Sequence, residues 1–249
     1  MSMTVVFLPG MICDAAAWRP QVEALRGEFE VEVATYPLID SIGAMADEAV
    51  RSVPSARRLA VVGHSMGGRV AQEIVRRIPD RVVGLCLMGT DFRGPRDDAE
   101  RRLEIQAREA DIARIRSNGM NDFAGNWARR LVAAHRQDEW EFTRPIAEMA
   151  LRHGLPSFEA HARAGANRPD YSELLGRIRC STLIVAGADD ALRPVQTHEL
   201  MASKISGSRL VVLPRCGHMM SLEEPEAVST LLRDWLRSLS SAAREARPS

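Results

Sequence analysis

At 249 residues the chain has room for one full α/β core with an insertion, or at most two small domains. Lys+Arg and Asp+Glu both number 33, so no net field favours nucleic acid or an anionic membrane surface, and aromatics at 5% are too sparse for a base-stacking platform. Cys13, Cys86, Cys180 and Cys216 are scattered without a CxxC pair, which suits reduced thiols in a cytoplasmic protein, with one disulfide left open.

Taken in chain order, Met1-Ser2-Met3 runs straight into the apolar Thr4-Val5-Val6-Phe7-Leu8, which lacks a basic lead and is broken by Pro9-Gly10. No export signal is expected there, and no apolar run approaches the roughly 20 residues a bilayer span needs. The expectation is a cytoplasmic protein with neither membrane nor nucleic acid among its partners. Short apolar, β-branched runs predict strands over residues 4–8, 29–34, 59–62, 83–88, 182–186 and 209–213. Helical spacing of apolar residues predicts helices over 16–26, 42–53, 66–78, 195–203 and 225–238. This alternation specifies a doubly wound α/β sheet, whose chemistry belongs at the carboxyl ends of its strands.

The alternation stops between Asp91 and Tyr171, where charge is dense and helical spacing covers 97–117, 122–134, 138–153 and about 157–166. The division expected is a core made of residues 1–90 and 171–249 with a helical cap inserted at 91–170. Residues 239–249 are small, polar and basic, and read as a frayed tail.

Gly63-His64-Ser65-Met66-Gly67-Gly68 sits between a strand and a helix. A serine flanked by glycines at such a junction reads as a nucleophile elbow, with the Met66 N–H opening a helix whose dipole favours negative charge. A serine hydroxyl needs a base. His218, in Cys216-Gly217-His218-Met219-Met220 just past the last strand, is the candidate. His64 adjoins the serine and suits packing behind the elbow. His135, His153 and His161 lie in the insertion without ligand spacing, so no metal is expected, and His198 falls on a predicted surface helix. The imidazole in turn needs a carboxylate. Asp190, in Gly187-Ala188-Asp189-Asp190, is preferred, with Asp189 as local rival and Asp91, at the end of the fourth strand, as the stronger competitor. A second oxyanion donor beside Met66 is expected from Leu8-Pro9-Gly10-Met11-Ile12, with the Met11 N–H the best candidate.

These pieces together resemble the α/β-hydrolase superfamily, in its serine esterase-like branch. Pro9-Gly10-Met11 with Trp18 resembles the family's oxyanion loop, Gly187…Asp190…Pro194 its acid loop, and Gly217-His218…Glu223-Glu224-Pro225 its histidine loop. Members often begin with an antiparallel hairpin, and this sequence starts at the strand after it, so a mostly parallel sheet of six or seven strands is expected, with helices on both faces. The resemblance implies acyl chemistry on a small carboxylic ester by Ser65, Asp190 and His218, without cofactor. Ile12, Arg69, Phe123, Trp127, Met219 and Met220 are expected around the substrate, beside the oxyanion pair Met11 and Met66. Arg69 also resembles the Gly-Gly-Arg of cyclohexadiene-carboxylate synthases, which keeps open a lyase or carbon–carbon bond hydrolase. A ligand receptor with a hydrolase-like pocket is the reading from a different class.

Overall fold

The computed structural model describes residues 3–54 and 56–245. In chain order the elements are β1 (Thr4–Leu8), α1 (Arg19–Leu25), β2 (Glu30–Val33), α2 (Ile42–Arg51), β3 (Leu59–His64), α3 (Met66–Arg77), β4 (Val82–Met88), α4 (Asp98–Asn118), α5 (Met120–Leu131), α6 (Trp140–Ala166), α7 (Ser172–Leu175), β5 (Ser181–Gly187), α8 (Val195–Lys204), β6 (Arg209–Leu213), α9 (Met220–Glu223) and α10 (Pro225–Glu245).

The six strands form one sheet in the order β2-β1-β3-β4-β5-β6, and every pairing is parallel. β1 and β3 are buried along their whole length, which is why their sequences are apolar without alternation. The edge strands β2 and β6 are partly exposed and carry Glu30, Glu32 and Arg209. From β1 the chain steps one way to β2 and then back across to β3, so the strand order reverses between β1 and β3. The register Leu8↔Gly63 sets the ends of those two strands level. The loops that follow them therefore flank the crevice where open α/β sheets bind ligands.

Between β4 and β5 lie α4, α5 and α6. α5 buries Phe123, Ala124, Trp127, Ala128 and Leu131, one face of a helix. α4 buries only Ile115 and is held by charge, including Arg116 on Glu159 at 2.8 Å. Within α6 the helix breaks at Gly154, whose φ of 66° and ψ of −176° lie outside the helical region, matching the Gly154-Leu155-Pro156 interruption in the sequence.

Two expectations need correction. The chain does not fray from residue 239: α10 runs on to Glu245, because Leu232, Leu236 and Leu239 keep helical spacing and are all buried. Burying each such leucine contributes roughly 1.5–3 kcal/mol, and Trp235 adds an N–H bond to Ser181 Oγ at 3.1 Å. The last four residues of the expected tail, 246–249, lie outside the described residues. His198 is not on an open helix face either; it is fully buried, its Nδ1–H donating to Pro194 O at 3.2 Å and its Nε2 accepting from Thr90 N–H at 3.3 Å. The four cysteines are free thiols, Cys13, Cys86 and Cys216 buried and Cys180 partly so.

Candidate active site

Ser65 caps α3 with φ 55° and ψ −115°, a left-handed backbone that costs a non-glycine residue of order 1–3 kcal/mol. The turn closes because its neighbours lack side chains. A Cβ on Gly67 would stand 1.9 Å from Leu8 O, and one on Gly63 would stand 2.3 Å from Gly67 O. Ser65 N–H donates to Met88 O at 2.9 Å and Thr90 Oγ1 donates to Ser65 O at 2.7 Å, so β4 and the loop after it hold the strained residue in place.

Three side chains from loops after β3, β5 and β6 meet above this elbow. His218 Nε2 lies 3.0 Å from Ser65 Oγ, and His218 Nδ1–H donates to Asp190 Oδ2 at 2.7 Å. Asp190 Oδ1 accepts from Leu192 N–H at 2.8 Å and Arg193 N–H at 2.9 Å. Burial alone raises a carboxyl, but the His218 imidazole and these N–H donors outweigh it and hold Asp190 below the usual carboxylate range. Neither rival reaches the imidazole. Asp91 is spent on the backbone N–H groups of Phe92 and Arg93 and on the Arg93 guanidinium. Asp189 is half-exposed and faces His135 at 3.9 Å.

Supporting contacts come from further away. His64 Nε2–H donates to His218 O at 2.8 Å. Burial, reinforced by the nearby His218, pushes the His64 ring down to about 3, so it stays a neutral donor. Buried Glu223 gathers three backbone donors: Ala133 at 2.9 Å, Gly217 at 3.0 Å and Met219 at 3.1 Å. His218 and Met219 N–H both donate to Leu131 O at 3.0 Å, which joins the histidine loop to the end of α5.

The loop after β1 turns through Cys13 N–H to Gly10 O at 3.2 Å, with Ile12 at φ 46°. Ile12 N–H donates to His161 Nδ1 at 3.0 Å, and His161 Nε2–H donates to Tyr36 O at 3.0 Å. Tyr36 Oη–H donates to Pro9 O at 2.6 Å. Both ends of the loop are thereby tied, one of them to α6. These bonds use the amides of Cys13 and Ile12 and do not engage the Met11 N–H between Gly10 and Ile12.

A cavity of about 370 Å³ opens over Ser65, lined among others by Met11, Met66, Arg69, Trp127, His218 and Met219. Three residues expected there are absent from its walls. Ile12 is fully buried, held by its bond to His161, and Phe123 stacks on Trp127 at 5.7 Å and packs edge-on against Phe158 at 4.9 Å. Met220 begins α9 and is likewise buried off the cavity. Arg69 does not pair with Glu73, whose carboxylate takes Arg76, Arg77 and the Tyr171 hydroxyl. Its guanidinium instead donates to Arg93 O at 2.9 Å. Among the described residues no group of three or more His, Cys, Asp or Glu side chains is placed to hold a metal ion.

His161 and His198 carried no signal in the sequence, because each bonds a backbone N–H far along the chain, that of Ile12 and that of Thr90. Glu223 did carry one, as part of the Glu-Glu-Pro that follows the histidine.

A family model described as the alpha/beta hydrolase family matches residues 5–231. The pimeloyl-[acyl-carrier protein] methyl ester esterase of Neisseria meningitidis serogroup A is 31% identical over 182 residues, 72% of this chain and 57% of that protein. A putative carbamate hydrolase, RutD, of Klebsiella pneumoniae is 24% identical over 261 residues, 98% of this chain and 94% of its own. Among solved structures, a thermophilic esterase from Thermogutta terrifontis, described as malate-bound, superposes with a TM-score of 0.82 at 29% identity, covering 96% of this chain and 90% of that one. With the match running from β1 through the elbow and acid loop to the histidine loop, the chain belongs to the alpha/beta hydrolase family, on its esterase-like side.

Proposed function

We propose that the protein is a serine hydrolase of small carboxylic esters that works through an acyl-enzyme, needs no cofactor, and has a small-molecule ester as its partner. The observation that carries this reading is the unbroken hydrogen-bonded line from Ser65 Oγ through His218 to Asp190, at 3.0 and 2.7 Å. As Ser65 Oγ attacks the ester carbonyl, His218 Nε2 takes its proton, and Asp190 stabilises the imidazolium without becoming protonated. The Met11 and Met66 N–H groups receive the oxyanion; each such donor is worth about 2.7–4 kcal/mol. Collapse of the tetrahedral intermediate expels the alcohol, which takes the proton from His218. A water deprotonated by the same nitrogen then releases the acid and restores Ser65.

The inserted α4–α6 segment acts in this reading as a cap. Its Trp127, together with Met11, Met66 and Met219, gives the cavity an apolar part that adapts to different acyl groups. Two relatives of stated activity are a methyl ester esterase and an esterase, which supports ester hydrolysis over other acyl transfers. No helix among the described residues is long and apolar enough to cross a membrane, compatible with a cytoplasmic enzyme acting on a dissolved ester.

Steady-state rates over p-nitrophenyl esters of graded acyl length, with a thioester and a lactone included, test the reading. Multiple turnovers are expected on the short esters, and Ser65→Ala abolishes them. A single stoichiometric event with every ester points instead to a ligand receptor. Arg69 in the cavity wall favours one second reading, a lyase using the same residues. Elimination on an anionic substrate outpacing every ester would establish it.

A further inference from the structure

Five guanidinium groups and only two carboxylates line the cavity over Ser65. Those brought by the inserted segment are answered by acids. Arg168 grips Glu104 through both terminal nitrogens, and Arg108 and Arg130 share Asp111 at 3.4 and 3.8 Å. The two on the core are not answered. Arg69, on the first turn of α3, is 5% exposed and donates only to Arg93 O, at 2.9 Å. Arg193, in the acid loop, donates from its guanidinium only to Leu192 O, at 2.7 Å. Among the described residues no carboxylate lies within ion-pair distance of either, and Asp91 and Glu104, the acids that act on both from further off, are bonded to Arg93 and Arg168.

Burying a charge without a counter-ion costs several kcal/mol, and here Arg69 is buried and Arg193 partly so. Burial and then the Arg193 charge bring Arg69 down to about 9, and an anion bound beside it would offset both effects. Both are also rigidly mounted on the catalytic framework. Arg69 lies four residues beyond Ser65, roughly 6 Å of helix rise. The Arg193 backbone N–H is itself one of the two donors to Asp190 Oδ1, at 2.9 Å. A neutral ester fills the apolar part of the cavity and leaves this pair uncompensated. A carboxylate entering the cavity finds guanidinium donors on both of these lining residues.

We infer that Arg69 and Arg193 form a carboxylate-binding subsite, and that the substrate is an ester carrying a second, ionised carboxylate a few carbons from the scissile carbonyl. The inference rests on the hydrolase reading for the identity of the reacting bond, but the subsite itself is open to test without turnover. The substrate is supplied by a reaction that esterifies one end of a diacid, and the product is the free diacid.

The experiment compares monomethyl glutarate with its neutral isostere, the methyl ester of glutaric monoamide. In the unaltered enzyme kcat/KM for the hemiester exceeds that for the amide by about tenfold or more, the worth of one charge-assisted hydrogen bond. Arg69→Gln and Arg193→Gln each bring the ratio toward one. Equal rates on the two esters overturn the subsite and leave the hydrolase standing. Calorimetric titration of glutarate into Ser65→Ala supplies the readout independent of catalysis. Binding is expected there, weakened about tenfold when Arg69→Gln or Arg193→Gln is added. Absent binding, or binding equal in the three proteins, overturns the inference whatever the esters do.

Discussion

Ser65 holds a backbone conformation that only its surroundings make tolerable, and the residues around it are chosen for fit at that point. Glycines at 63 and 67 let β3, α3 and the end of β1 close on one another, and Thr90 ties the serine carbonyl from the side. At this scale Asp190 and Asp91 also differ, since one carboxylate meets His218 Nδ1 at 2.7 Å and the other is bonded to Arg93. Asp190→Asn, which removes the charge and misdirects the imidazole tautomer, is expected to lower kcat on the order of 10³–10⁴-fold. Asp91→Asn stays within a few-fold. Steady-state kinetics on one reactive ester checks both, and the reverse ranking moves the acid role to Asp91.

At the scale of elements, the helices between β4 and β5 hold the loops that surround Ser65. α6 reaches through His161 to the loop after β1, and the end of α5 is bonded to the histidine loop directly and through Glu223. His161→Leu frees the Ile12 N–H from its partner and loosens the turn that presents Met11. The expected result is a kcat about tenfold or more lower with KM little changed, bounded by the 10²–10³ of a lost oxyanion donor. His161→Gln, which keeps an acceptor and a donor, restores most of it. Equal turnover by the two variants assigns His161 a packing role alone.

This is also where the sequence stopped being readable. The proposed nucleophile, acid and base each lie in a local pattern of glycine, strand end and helix start, so Ser65, Asp190 and His218 are visible one motif at a time. His161 and Ile12 are 149 residues apart, and no local pattern announces their bond. Ile12 and Phe123 were expected in the cavity because they are apolar and close in sequence to residues that line it. A turn with Ile12 at φ 46°, and a helix face shared between Trp127 and Phe123, decide the matter differently.

Over the whole molecule the parallel sheet was legible because buried strands are apolar end to end, and the reversal of strand order between β1 and β3 sets the site. The extension of α10 was missed because small polar residues mask the leucine spacing that continues through Leu239. Stability against acid belongs to this scale. Burial holds the neutral rings of His64 and His161 at about 3 and about 4, against an ordinary 6.5. Folded values below unfolded ones mean that the unfolded chain takes up the protons first. Stability is therefore intact above about 6.5 and is lost as the pH falls toward 4, His161 alone accounting for roughly 3 kcal/mol. Asp190, held low by His218, adds a loss of the same sign further down. Urea midpoints should fall between pH 7.5 and pH 5, and His161→Gln should narrow the difference. Identical midpoints at the two pH values contradict it.

Covalent labelling with a fluorophosphonate, located by peptide mass mapping, tests the central claim most directly. One adduct is predicted, on the peptide containing Ser65, forming at least 100-fold more slowly in His218→Ala because the hydroxyl has lost its base. A label on another residue, or undiminished labelling in His218→Ala, contradicts the account.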